Sequence, residues 1–426
     1  MNTIDLSDAA GRRFLHAFAL VVMLVTTVVV GFNLLAFRQV LRPENQAIVQ
    51  LIGGWSRVYK PILFDRFRPQ VAVFGASWAR DAFDPLTVSE LTGLNWFNHA
   101  VSASTPYESR RFIDSSLDDP QLEAVVLNLD TFLVPDVAVR AKSGFDETLL
   151  DTDPAGQPTR GLAARRFFAT TVSGAAIGNN IEVLNAIRAR DAGADPSEYL
   201  ESYERLDFDA HVASLDKLRS LVPGLARAPS TGLEPPLSAL PVPPGQPELE
   251  RVLDSLCRLD IDIYGYYTPT IVAVGEPGRG LSTTLHGLEV LRRYQPRCRA
   301  RLHLFNFNYP NGVTLDGLER TGRYSEYFRP DGHPRPTIGL LMAARMFGRP
   351  YPGGTPAGIS ADFGVDLLTV PDAEQRLRDQ AGGLQQLFAG LASVNQPAGR
   401  KNDGAAADAE SARNAARGDP GGRGDD

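Results

Sequence analysis

Cysteine is scarce: Cys257 and Cys298 are the only two in 426 residues. Neither has a second cysteine at zinc spacing, and the six histidines (His16, His99, His211, His286, His303, His333) form no close pair. No structural metal is expected from this pattern, and no cofactor. Positive charge is not in excess either. The net charge of −7 argues against nucleic acid as a partner, which needs a basic face. A dinucleotide fingerprint is also missing. Gly75-Ala76-Ser77 lacks the three glycines, and no acidic residue closes a second strand about twenty positions on. The run Gly275-Glu276-Pro277-Gly278-Arg279-Gly280 has no Lys-Ser/Thr after it, so it reads as a loop rather than a phosphate cradle.

What is present begins with a long apolar run. Residues 1–13 form a polar head ending in Arg12-Arg13, and 14–37 is apolar and free of charge, with His16, Thr26, Thr27 and Asn33 its polar members. At ~1.5 Å per residue such a segment crosses a ~30 Å hydrocarbon core. It exceeds the ~7–15 apolar residues of a signal peptide, and no small-x-small site follows cleanly. An uncleaved single-pass anchor in the inner (cytoplasmic) membrane is expected. Arg12 and Arg13 on one side nearly balance Arg38 and Arg42 on the other. The short head before the anchor places the body outside the cytoplasm. There Cys257 and Cys298 can pair; two separate buried thiols is the other reading.

Beyond a connector at 38–69, strands alternate with helices, which predicts an α/β fold with a parallel sheet covered on both faces. Val71–Phe74, Asn95–Asn98, Glu123–Leu129, Ile261–Tyr266 and Leu302–Phe307 are the expected strands. Helices are expected at Pro85–Thr92, stopped by Gly93, after Thr105-Pro106, at Glu248–Leu259, Leu285–Tyr294 and Thr337–Phe347. The sheet domain is thus split into 70–135 and 251–350. Between them, 136–250 reads as a helical insertion, with helices at Leu162–Thr171, Ala175–Arg190 and Val212–Leu221 and a loop from Ala228 to Pro247. Residues 351–394 form a C-terminal extension with a helix at Pro371–Leu391. The stretch 395–426 has no large apolar side chain and is expected to be disordered.

Ser77 leaves the first strand through Gly75-Ala76, small enough for a tight turn, and a helix-like stretch follows. A serine there sits at the carboxyl end of a strand, beside the positive end of a helix. The bland alternative is that Ser77 caps that helix. Far downstream, Arg329-Pro330-Asp331-Gly332-His333-Pro334 lies in the loop after the last strand. A doubly wound sheet brings that loop to the same edge as Ser77. Histidine as base takes a serine proton, and a carboxylate orients the imidazole.

These two fragments together resemble the SGNH (GDSL-like) hydrolase superfamily, whose nucleophile follows the first strand and whose acid and base share one late loop. Asn98-His99-Ala100-Val101-Ser102-Ala103-Ser104-Thr105 looks like the family's second block, and Val126-Leu127-Asn128-Leu129-Asp130 like its third. Asp84-Pro85 and His333-Pro334-Arg335-Pro336 are similar to motifs of membrane-anchored bacterial members associated with O-acetylation of cell-surface polysaccharide. The resemblance implies a three-layer α/β/α flavodoxin-like sheet and a membrane-anchored esterase or O-acyltransferase. Its substrate would be an acylated envelope or exopolysaccharide glycan, and its partners the envelope polysaccharide machinery. It implies Ser77 as nucleophile, His333 as base, Asp331 as orienter, and the N–H groups of Ser77 and Ala103 as oxyanion donors, with Asp130 and Asn128 in support. Three departures stand out. Pro330 occupies the position three before the histidine, where the family has its carboxylate. Ala103 replaces a glycine, and Asp130-Thr131-Phe132 offers no asparagine. The other reading is therefore a catalytically impaired protein of this fold that binds glycan or an envelope assembly partner.

Overall fold

The computed structural model describes residues 9–45, 48–49, 56–134, 138–142, 144–193, 241–270, 277–309, 311–314, 327–328, 333–356, 359 and 363–382. Helix α1 (Ala9–Val40) outruns the apolar segment at both ends. Within the expected connector, Ser56–Phe67 forms α2, which carries Pro61 in its interior.

The sheet follows. Strand β1 (Val71–Phe74) leads into α3 (Ser77–Ala82) and α4 (Pro85–Thr92). Asp84 caps α4 by accepting from Leu86 N, and Gly93 ends it with φ 76°, the left-handed region that favours glycine. Strand β2 (Trp96–Asn98) precedes α5 (Pro106–Ser116), where Thr105 is the cap and Pro106 the first helical residue. Strand β3 (Ala124–Asn128) runs into the short α6 (Asp130–Leu133). The insertion contributes α7 (Leu162–Phe167) and α8 (Gly174–Asp191). Helix α9 (Gln246–Leu256), β4 (Asp262–Tyr267), α10 (Pro277–Tyr294), β5 (Arg301–Asn306) and α11 (Pro336–Met346) complete the domain.

All five strands are parallel, in the order β2-β1-β3-β4-β5. The central strands β1 and β3 are buried throughout because both faces are covered, whereas the edge strand β5 alternates at its start, with Arg301 exposed and Leu302 buried. Ala72, Phe74, Val125, Leu127, Ile263 and Leu304 point into one core, with Phe64 of α2, Phe112 of α5, Leu253 of α9 and Leu291 of α10. Val73, Val126, Tyr264 and Phe305 point into the other, with Ala79 of α3, Val88 of α4 and Met342 of α11.

Two expectations need correction, and one open pair of readings is decided. Pro277–Gly280 is the first turn of α10, not a loop: proline fits a helix start, where its missing N–H has no partner to lose. The expected helix Leu162–Thr171 breaks after Phe167 into a π-helical turn, Phe168–Val172, in which Thr170 and Thr171 turn their hydroxyls onto the Arg166 and Phe167 carbonyls. Cys257 and Cys298 are not separate thiols but a disulfide, with Cα atoms 4.5 Å apart, tying the end of α9 to the start of β5. Val212–Leu221, most of Ala228–Pro247 and 395–426 lie outside the described residues, as does Pro371–Leu391 beyond a helical stretch at 373–382.

Helix α11 lies directly on α3. A Cβ built at Gly339 would collide with the Ala82 carbonyl, so the approach requires glycine. Gly339→Ala is therefore expected to destabilise the domain by about 1–3 kcal/mol through forced separation of the helices. A urea midpoint that does not move would contradict this packing.

Candidate active site

Gly75 lets the chain turn at the end of β1. A Cβ there would lie 2.7 Å from Asn128 Cβ and 2.8 Å from Ala79 Cβ, so only glycine passes between the end of β3 and α3. Ser77 is then the first residue of α3, but it does not cap it. The cap position belongs to Ala76, which offers no side-chain bond. The hydroxyl is left for another partner: His333 Nε2 lies 3.0 Å from Ser77 Oγ, across 256 residues of sequence. Both residues are partly exposed.

His333 is held from both sides. Phe328 and Pro334 form an antiparallel bridge, Arg335 N donates to Tyr327 O at 2.8 Å, and Arg335 Nε to Phe328 O at 3.1 Å. Behind it, α11 begins at Pro336 and runs over α3. The Trp78 ring meets the imidazole edge-on, with centroids 6.5 Å apart. Asp331, the expected orienter, lies outside the described residues.

The expected oxyanion loop follows β2. Ala103 is exposed and adopts φ 51°, a left-handed conformation that a glycine would take without strain. The loop is pinned from below. Val101 N donates to Gly75 O at 3.0 Å. Asn98 Oδ1 accepts from Ala100 N at 3.1 Å, while Asn98 Nδ2 reaches the carbonyls of Arg80 and Phe83 at 2.9 and 2.7 Å. One buried asparagine thus ties the loop to the end of the Ser77 helix. From α2, Lys60 Nζ donates to Ala100 O, and Arg57 Nη2 donates to Ser102 O at 3.2 Å. Arg57 is itself fixed by the buried Glu108, with Nη2 2.8 Å from Oε2. Desolvation drives the Lys60 ammonium well below its usual range, with Arg80 adding to the effect.

Asn128 and Asp130 serve the scaffold. Asn128 Nδ2 donates to Thr268 Oγ1 at 2.7 Å and to Asp130 Oδ2 at 3.1 Å, and its Oδ1 accepts from Thr131 Oγ1 at 2.9 Å. Asp130 Oδ2 accepts the Thr268 N–H at 2.9 Å, which holds the loop after β4, and burial pushes its carboxyl up to about 6. The site thus joins Ser77 and His333, with Ala103 on a loop braced against Gly75, the end of α3 and α2, while the Asn128 amide is already engaged.

Comparison with protein-family models, with curated proteins and with solved structures finds no match.

Sequence reasoning missed the bracing residues. Lys60 shares a helical face with Leu63 and Phe64, three and four positions on, and that spacing was the available signal for its burial. Arg57 and Glu108 had no local signature, because they lie 51 residues apart, and although Asn98 bonds locally to Ala100 N, its reach to the Arg80 and Phe83 carbonyls spans 18 and 15 residues.

His99, in the same block, is buried among the rings of Phe64, Phe74, Phe97 and Phe112. Burial lowers its pKa to about 3, and nearby Lys60 adds to this. The unfolded imidazole, near ~6.5, takes a proton that the folded one refuses, so stability is lost as pH falls from ~6.5 toward ~3. Asp130 acts oppositely, since a raised carboxyl favours the fold at the acid end of its window. His99→Phe is expected to lose about 2–3 kcal/mol less than wild type between pH 6.5 and 4.5, at ~1.4 kcal/mol per unit. Parallel curves in denaturant unfolding would contradict this.

Proposed function

We propose that the chain is a membrane-anchored serine esterase or O-acyltransferase of the SGNH type, acting on an acylated envelope or exopolysaccharide glycan. The observation that carries this reading is the 3.0 Å contact between His333 Nε2 and Ser77 Oγ at the carboxyl edge of β1. The strand order 2-1-3-4-5 is that of flavodoxin-like sheets, whose ligands bind where the order reverses, and Ser77 follows the strand at that point.

In this mechanism His333 Nε2 takes the Ser77 proton as Oγ attacks the ester carbonyl. The oxyanion forms opposite the N–H groups of Ser77 and Ala103. Collapse expels the alcohol, which receives its proton from His333, and leaves an acyl group on Ser77. Water then completes an esterase cycle, or a sugar hydroxyl completes a transfer. The family resemblance assigns the orienting carboxylate to Asp331, which lies outside the described residues. Helix α1, with 30 residues from Gly11 to Val40 long and apolar enough to span a bilayer, supports the anchor. The disulfide supports a body held outside the cytoplasm, at the outer side of the inner membrane.

One observation favours the second reading, an impaired protein that binds glycan or an envelope assembly partner. The Asn128 amide donates to Thr268 and Asp130 and is not free to stabilise an oxyanion, a loss worth ~10²–10³ in rate.

A fluorophosphonate probe applied to the full chain distinguishes them. Wild type is expected to be labelled at Ser77. Ser77→Ala should abolish labelling, and His333→Gln should slow it on the order of 10³-fold or more. An unlabelled wild-type protein, or labelling that survives Ser77→Ala, would contradict the enzyme.

A further inference from the structure

Helix α1 is uncovered over only part of its apolar length. Every residue from Arg12 to Val28 is exposed, whereas Val29 to Phe32 are partly covered and Asn33 is buried. The uncovered apolar stretch, Phe14 to Val28, rises about 22 Å at ~1.5 Å per residue. A hydrocarbon core of ~30 Å requires about 20 residues, which carries the span to Asn33. The last turns inside the bilayer are therefore those against which the insertion packs. Asn33 Nδ2 donates to Thr171 O at 2.8 Å, and Asn33 Oδ1 accepts from Asn180 Nδ2 at 2.8 Å. Asn180 Oδ1 in turn accepts from the Tyr59 hydroxyl of α2 at 2.8 Å.

The insertion is shaped for that depth. From Phe167 to Ile181, the end of α7, the π turn and the first half of α8, there is no charged residue; Arg165-Arg166 precede this tip, and Arg188 and Arg190 lie toward the far end of α8. Phe167, Phe168 and Ile181 are exposed at 46%, 60% and 46%, alongside Leu34 and Leu35 of α1. Its hydroxyls are satisfied internally. Thr170 and Ser173 donate to the carbonyls four residues back at 2.8 Å, and Thr171 does the same to Phe167. Backbone and hydroxyl groups facing lipid must be paired within the protein.

We propose that the tip of the α7–α8 hairpin, Phe167–Ile181, is embedded in the lipid bilayer beside α1, so that the domain is seated on the membrane and not merely tethered to it. Arg38, Arg42 and Arg165 are exposed around this seat, where anionic headgroups would meet them. The occupant is the outer boundary of the same bilayer that α1 crosses, and the inference rests on the anchor reading. Its consequence for the site is direct. The hairpin holds Tyr59 through Asn180, and the same α2 holds Ala100 and Ser102, so the oxyanion loop is fixed at a set height above the membrane.

The test uses the full chain in vesicles of three parts phosphatidylcholine to one part phosphatidylglycerol. Among the described residues no free cysteine competes for a nitroxide label. Labels go on Phe168→Cys and Ile181→Cys, with Leu24→Cys as the buried reference and Leu86→Cys, on α4 across the sheet, as the aqueous one. All four native side chains are exposed, so the fold should tolerate them. Collision rates with oxygen and with a water-soluble nickel chelate are measured. Labels at 168 and 181 are expected to collide with nickel several-fold less than the label at 86, and to match that at 24. Nickel access at 168 and 181 equal to that at 86, with 24 shielded, would overturn the seated hairpin and leave the anchor standing. Nickel access at all four would overturn the anchor and this inference together.

Discussion

At Gly339 the backbone of α11 comes so close to the Ala82 carbonyl that no side chain fits between them. This approach sets the position of the loop ahead of α11, and with it His333. The opposite boundary is set by Gly75, which lets β1 end hard against Asn128 and Ala79 before the chain enters α3. Two glycines thus determine where a hydroxyl and an imidazole, one on each side of a helix pair, come within hydrogen-bond distance. Bulk at either position would move one partner by more than a hydrogen bond tolerates.

Around this contact the polar groups act as a frame. Asn98 joins the Ser77 helix to the loop carrying Ala103, and Lys60 with Arg57 joins that loop to α2. Burying the Lys60 amine and half-burying the Arg57 guanidinium is costly unless each finds partners. Lys60 finds the Ala100 carbonyl, and Arg57 finds Glu108 and the Ser102 carbonyl. The reward is a loop held in one conformation, including the left-handed backbone at Ala103. Pre-organised donors are what stabilise developing negative charge.

The strands were legible because a parallel sheet covered on both faces needs unbroken apolar runs, and Val71–Phe74 and Ala124–Asn128 supply them. The meeting of Ser77 and His333 was legible because a doubly wound topology sends the end of β1 and the segment before α11 to one edge. The capping alternative for Ser77 failed because the helix begins at Ser77 itself, one residue earlier than that role requires, and the cap position falls to Ala76. What escaped were contacts between distant segments. Asn33 lies 147 residues from Asn180, and Lys60 lies 40 from Ala100. No periodicity encodes such pairs, since they arise only after the sheet has fixed where its flanking helices stand. The π turn was hidden for another reason: Phe167-Phe168-Ala169-Thr170-Thr171 has the pattern of an ordinary helix, and side-chain bonds back to the main chain accompany its widening.

The proposed site depends on residue 77 standing beside the His333 imidazole, and a thiol at that position reports it without any need for a substrate. In Ser77→Cys the thiol should titrate well below ~8.5, because a neighbouring imidazole favours the thiolate. Replacing His333 by glutamine in that background should return it to about 8.5. If instead the thiol at position 77 titrates near ~8.5 whether or not His333 is present, the two side chains do not meet and the proposed site does not exist.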